Sequence, residues 1–310
     1  MKKILVLSRK DDRESFDTQQ SMARELSATG MQQAAYTGVN LEDLLFHFDG
    51  EELKVTDSHT GVDIAGFDLV FMIGWFKTKV LEDVALSAAT YIQAKGGKVL
   101  NTEILHTRSR SKLSQLVYAT LHNIPVTRFY FSMNRNVLTQ ALANGDLTIP
   151  YIAKAISASR GNDNYLFKSV DDLKVQQFQL ESDSQIYYVV QDFVPNEGDY
   201  RILVMGSEVT LVLHRQSQTD SHLNNTSQGG KAQVVDIKTL PEQMLKDSIT
   251  ISNLLKREVT GVDMLIHKET GRYYLLEANN MPQLSTGAFV SEKMQALGKY
   301  FETRLNSPDK

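Results

Sequence analysis

Residues 261–282 read GVDMLIHKETGRYYLLEANNMP, two apolar runs on either side of a polar turn, and the fold follows from how those runs pair. With Glu269, Thr270 and Gly271 as a three-residue loop and glycine in its left-handed position, Lys268 faces Arg272, and counting back along both strands sets Asp263 opposite Glu277. Cross-strand neighbours lie roughly 4.5–5.5 Å apart, and like charges at that separation repel. Alternation along the second strand brings Asn279 to the face of Glu277, with Leu265, Tyr273 and Leu275 sharing it. Two carboxylates and an amide oxygen, without histidine or sulfur, form the ligand set of a hard cation, Mg2+ or Mn2+. The alternative is that both acids sit on the solvent face of an amphipathic hairpin, and the register of pairing decides between the two.

Working outward, the pattern before this ribbon is mostly β. QIYYVVQDFV, DYRILVMG, VTLVLHR and AQVVDI are extended runs separated by turn residues, and a helix is expected from about Pro241 to Lys256. Further upstream, a helix through Lys112, Leu116 and Ala119 precedes the extended NIPVTRFYF, a second helix spans about Asn136 to Ala143, and PYIAKAIS forms a strand. The first hundred residues behave differently. The apolar ILVL, a polar turn, helical spacing at Met22 and Leu26, the run from Asp68 to Ile73, four-residue spacing from Val80 to Ile92, a Gly96-Gly97 stop and KVLN give strands alternating with helices. Such alternation predicts a parallel sheet covered on both faces, so residues 1–104 form one α/β unit.

Composition narrows the function. The 310 residues carry 33 Lys and Arg against 37 Asp and Glu, a net charge of −4, which disfavours a nucleic-acid partner. No run approaches a membrane span, and the opening MKKILVLSRKDD is too short in apolar residues for a signal peptide, so a cytoplasmic location is expected. The absence of cysteine excludes disulfides, thiolate zinc sites and cysteine nucleophiles. The seven histidines show no paired ligand spacing.

A cation held by few protein oxygens completes its shell with water and substrate phosphates. Neither GxxxxGK[ST] nor GxGxxG occurs, which excludes a P-loop and a standard dinucleotide fold. Lys154 is the phosphate candidate, because it lies on an otherwise apolar strand that feeds the polar stretch SASRGNDN; a snorkelling lysine is the alternative. Trp75, after a strand end, reads as cleft lining or core packing, and Ser8-Arg9-Lys10 as an anion turn or a solvated loop.

Over roughly residues 100–285 the order of these features resembles the ATP-grasp superfamily, and within it the RimK-type and glutathione-synthetase-like carboxylate–amine ligases. SRSKLSQLVYATLHNIPVT resembles the helix bearing a nucleotide-contacting lysine, which implies that role for Lys112; PYIAKAISASRG implies the second ATP lysine, Lys154. VVQDFVPNEGDYRILVMG resembles the hinge, implying adenine contacts around Gln191, Asp192 and Phe193, with Asp199 and Arg201 matching an Asp-x-Arg pair. GVDML and LLEANNMP match the metal-binding Asp and the Glu-x-Asn pair, Asp263, Glu277 and Asn279. The resemblance implies an N-terminal α/β domain over 1–104, a small lobe over 105–190 that acts as a lid, and a C-terminal lobe with the metal site and an antiparallel sheet over 191–310.

Departures are visible as well. One glycine stands in the phosphate loop, and HLNNTSQGG keeps Asn225 but lacks the family's Arg and His around it. The implied activity joins a carboxylate to an amine through an acylphosphate, with ATP and Mg2+ (or Mn2+) as cofactors and release of ADP and phosphate. Arg201 and Arg215, on neighbouring strands, are the candidates for gripping the carboxylate and the transferring charge. The segments 216–230 and 157–164 are the candidate lids. The implied partners are small-molecule or peptide acids and amines, and a homo-oligomer stays open. One competing reading is a regulatory or scaffold protein that binds ATP without catalysis; another is a plain sugar- or nucleotide-binding protein.

Overall fold

The computed structural model describes residues 1–10, 19–29, 34–74, 78–106, 111–145, 149–156, 164–167, 186–217 and 231–307. The first unit comprises β1 (Lys2–Ser8), α1 (Gln19–Ala28), β2 (Ala34–Asn40), the hairpin β3 (Leu44–Phe48) and β4 (Leu53–Asp57), β5 (Leu69–Met72), α2 (Lys79–Ala94) and β6 (Lys98–Leu100). Its sheet has the order β2-β1-β5-β6, parallel throughout. Alternation along β1 explains why ILVL is apolar at every position. Leu5 and Leu7 pack on α2 through Ala85, Ala88 and Ile92, whereas Ile4 and Val6 pack on Met22 and Leu26 of α1. The Thr78 hydroxyl caps α2 by accepting from the N–H of Leu81, and Gly96 at φ +81° lets the chain turn out of its end. The β3–β4 hairpin carries no alternation strong enough to be read from sequence, and it was not expected.

A second sheet has the order β7-β10-β8-β9, formed by β7 (Phe129–Tyr130), β8 (Tyr151–Ala155), β9 (Asn164–Phe167) and β10 (Tyr188–Asp192). Leu138 and Leu142 of α4 (Arg135–Asn144) cover it. The third sheet has the order β13-β12-β11-β14-β15, from β11 (Asp199–Met205), β12 (Glu208–Gln216), β13 (Lys231–Val234), β14 (Val259–Ile266) and β15 (Tyr273–Asn279). Met244 and Ile251 of α5 (Glu242–Leu254) bury Ile202, Val204, Val262 and Met264 on one face. α3 (Lys112–Leu121) contributes Ala119 to that same core, and β10 crosses the boundary proposed at 190/191.

The other face of the third sheet has two halves. Leu203, Met205 and Val259 join the N-terminal core, where α6 (Val290–Asn306) inserts Met294, Leu297 and Phe301. Phe301 meets Phe71 edge to face at 5.4 Å, so the first and last parts of the chain share one apolar core. No element was expected after β15; helix α6 was missed although Met294, Leu297 and Phe301 keep helical spacing. At the opposite end of the same face, alternation replaces the apolar side chains with Asp199, Arg201 and Asp263. Among the described residues no helix is long and apolar enough to cross a membrane.

Candidate active site

The β14–β15 ribbon sets Asp263 opposite Glu277, as the sequence reading proposed, but by a different route. The turn is one residue longer than expected: His267 pairs with Arg272, its N–H donating to the Arg272 carbonyl at 2.8 Å, and Gly271 adopts φ +68°. A bulge at Leu276 then absorbs the extra residue, so that Met264 faces Leu275 while Asp263 faces Glu277. The bulge also overturns one expectation. Tyr273 and Leu275 lie with Met264 in the α5 core, on the face away from the acids, and Leu265 alone of the three keeps the predicted side.

The three oxygen-bearing side chains meet. The Asn279 amide donates to Asp263 Oδ2 at 3.2 Å and to Glu277 Oε1 at 3.0 Å. Cross-strand pairing brings cations to the same place, since Arg201 faces Asp263 and Asp199 faces Arg215. Arg201 grips Asp263 through Nε at 2.8 Å and Nη2 at 2.7 Å. Arg215, 3% exposed, lies between Asp199 at 2.7 Å and Asp263 at 3.0 Å. Both arginines expected to act on substrate therefore neutralise buried carboxylates in this structure. Burial pushes the Asp263 carboxyl up, but Arg201 and Arg215 outweigh it and hold the group below the ordinary aspartate value. Asp199 has one close guanidinium, so burial wins and its carboxyl is raised. Arg215 is held above the ordinary arginine value, because Asp263 and Asp199 together overcome its desolvation.

Two lysines complete the cluster. The Nζ of Lys112, at the start of α3, stands 3.8 Å from Glu277 Oε2, and the Lys112 N–H donates to the Ile156 carbonyl at the end of β8. Tyr151, Ala153 and Ala155 of β8 face the small-lobe core, so Lys154 points to the other side. Burial and the neighbouring Lys112 lower its pKa to about 8, against the attraction of Glu277 and Asp199. Four cations, Lys112, Lys154, Arg201 and Arg215, thus surround three carboxylates, Asp199, Asp263 and Glu277, which leaves one net positive charge to attract a polyanion.

The hinge residues lie further along the same chain. Gln191 is buried and donates to the Thr127 hydroxyl at 2.8 Å, and Asp192 accepts from Arg128 at 2.7 Å. The N–H groups of Asp192 and Phe193 already donate to the Arg128 and Pro150 carbonyls, so a ligand contact there falls to carbonyl oxygens. Ser8 and Arg9 are buried, against the solvated-loop reading, whereas Lys10 is exposed and pairs with Asp43 at 2.7 Å. Asn225, Trp75 and nearly all of both candidate lids fall outside the described residues.

Chemically, two carboxylates and an amide oxygen suit a hard divalent cation. Among the described residues no group of three His, Cys, Asp or Glu side chains forms a metal cage. The Asn279 amide turns its nitrogen to the carboxylates here, and rotation about its last bond would present the oxygen.

Residues 107–295 match the family model for the RimK-like ATP-grasp domain. The alpha-aminoadipate–LysW ligase LysX of Saccharolobus solfataricus is 25% identical over 219 residues, covering 67% of this chain and 75% of that protein. Among solved structures, the ATP-grasp ligase PsnB with a phosphomimetic minimal precursor, Mg and ADP superposes with a TM-score of 0.68 at 15% identity, over 97% of this chain and 98% of PsnB. The D-alanyl-alanine synthetase A of Vibrio cholerae gives 0.66 at 14% identity, over 98% and 97% of the two chains. At these identities the structural likeness speaks for the fold.

Proposed function

The chain belongs to the RimK-like ATP-grasp family, and from that premise we propose that it is an ATP-dependent ligase that activates a carboxylate as an acylphosphate and joins it to an amine. The observation that carries the reading is the convergence of Lys112, Lys154 and the Asp263–Glu277–Asn279 trio in one cluster with a cationic excess. Asp263, Glu277 and Asn279 would hold Mg2+ or Mn2+, which when bound neutralises phosphate charge. Lys154 and Lys112 would take the phosphate oxygens of ATP, and the hinge around Gln191, Asp192 and Phe193 would meet the base. A substrate carboxylate oxygen then attacks the γ-phosphorus, and the bond to the bridging oxygen breaks to release ADP. The amine attacks the acyl carbon, phosphate leaves, and a proton is lost from nitrogen.

Arg201, buried and holding Asp263 in line through Nε and Nη2, would steady the developing oxyanion through its remaining N–H groups. Arg215 is enclosed on both sides by carboxylates, so its contribution is to keep Asp199 and Asp263 fixed at one spacing. The substrate class is a small-molecule or peptide acid and amine. LysX is named for ligating alpha-aminoadipate to LysW, and PsnB for complexes with its precursor, which supports testing peptide acceptors alongside amino acids. The test is ADP release from MgATP in a screen of amino acids and short peptides. Stimulation by a defined acid and amine pair supports a ligase; thermal stabilisation by MgATP without turnover in any mixture would favour an ATP-binding protein without catalysis.

A further inference from the structure

Strand β15 is the last strand of its sheet, and an edge strand leaves outward N–H and C=O groups that need partners. At Ala278, the residue between Glu277 and Asn279, side chains from distant segments meet that need. The Ala278 N–H donates to Gln115 Oε1 at 2.7 Å, and its carbonyl accepts from Arg257 Nη1. Arg257 is 3% exposed and donates through Nε to Glu103 Oε2 at 2.7 Å; Glu103, 4% exposed, follows the last strand of the N-terminal sheet. The second oxygen of Glu103 accepts from Asn280 Nδ2, which also donates to the Gly74 carbonyl at 3.0 Å, just past β5. The Glu103 N–H is itself fixed to the Lys256 carbonyl at 3.0 Å.

We infer that Glu103 and Arg257 are positioning residues that fix the backbone at Ala278 and so hold Glu277 and Asn279 at the separation a divalent cation requires. The inference rests on the metal role proposed for Glu277 and Asn279. Its physical basis is alternation: Ala278 buries its methyl in the α5 core while its two neighbours project from the opposite face, so any rotation of this peptide swings both oxygen ligands together. Without Arg257 the Ala278 carbonyl has an open edge rather than a strand beside it. The tie from Asn280 to Gly74 makes the N-terminal sheet part of the same frame, and loss of partners of this kind around metal ligands typically costs about 10–100-fold in metal affinity.

The test uses the full chain with the substitutions Glu103→Gln and Asn280→Ala. Glutamine offers one acceptor where the carboxylate offered two, so its amide nitrogen must oppose either Arg257 or Asn280. Mn2+ binding in the presence of a non-hydrolysable ATP analogue is read from the loss of the free Mn2+ paramagnetic resonance signal, and analogue binding in EDTA is read by calorimetry. The expected result for Glu103→Gln is Mn2+ binding weakened about tenfold or more, with metal-free analogue binding within about twofold of the parent chain. Asn280→Ala should show a smaller loss of the same kind, several-fold, and it decides the question if Glu103→Gln does not fold. Unchanged Mn2+ binding in a folded variant, or equal losses of Mn2+ and metal-free analogue binding, would overturn the inference. Failure of the parent chain to bind Mn2+ with the analogue would instead overturn the metal reading itself, and the inference with it.

Discussion

Raising the pH from 7 to 9 should weaken nucleotide binding about tenfold, and Lys154 should be the cause. Its pKa is lowered to about 8 from 10.5, by burial first and then by repulsion from Lys112. The charged ammonium is the form that holds phosphate oxygens. At a pKa of about 8, roughly nine-tenths of the free protein carries that charge at pH 7 and roughly one-tenth at pH 9, a difference of about 1.4 kcal/mol in binding. A polyphosphate beside Lys154 favours protonation, so binding should draw in about half a proton at pH 8, measurable by calorimetry in buffers of different ionisation enthalpy. The sign for stability runs the other way. Below pH 8 both folded and unfolded lysine are charged and the folded chain carries the full net cost of the buried charge, about 3 kcal/mol; between pH 8 and pH 10.5 the unfolded chain binds more protons, so the nucleotide-free protein gains stability as pH rises. The assay is titration of a non-hydrolysable ATP analogue into the wild-type chain and Lys154→Met across this range. Lys154→Met should bind weakly and nearly independently of pH. A flat wild-type profile, or a variant that keeps the slope, would refute the reasoning.

Other substitutions probe the remaining parts of the site. Glu277→Ala should abolish metal-dependent nucleotide binding and turnover while leaving the thermal midpoint within a few degrees, since this side chain lies at the open edge of the cluster with 27% of its surface exposed. Arg215→Met should cost about 3–5 kcal/mol in urea unfolding, because it leaves the Asp199 carboxylate in the interior without its close cation and removes one of the two that hold Asp263. Gly198→Ala should destabilise by about 1–3 kcal/mol, measured the same way: Gly198 has φ +128°, and an added methyl would collide with the Arg215 carbonyl oxygen. Phe71→Ala should cost about 3–5 kcal/mol, because it opens a cavity against Phe301 where the two ends of the chain meet.

Period and turn chemistry carried much of the architecture in the sequence itself. The continuous ILVL required a strand buried on both sides, and the extended runs after residue 186, separated by turn residues, required a mostly β lobe. The Asp263–Glu277 pairing was legible too, although the longer turn and the Leu276 bulge offset one another, and no local signal distinguishes a three-residue loop from a four-residue loop plus a bulge. Lys154 could be picked out because it is a cation on an apolar strand and Lys112 through the resemblance of its helix, and the structure brings both to the same acids. What sequence could not decide was which charges neutralise which. Arg201 and Arg215 read as ligand-gripping groups, but strand order brings them against Asp263 and Asp199, and only the register of three paired strands fixes that choice. Gln115, Glu103 and Arg257 gave no signal at all. Each is an ordinary polar residue until residues more than a hundred positions apart close around the open edge of β15, where an unpaired peptide group must find a partner.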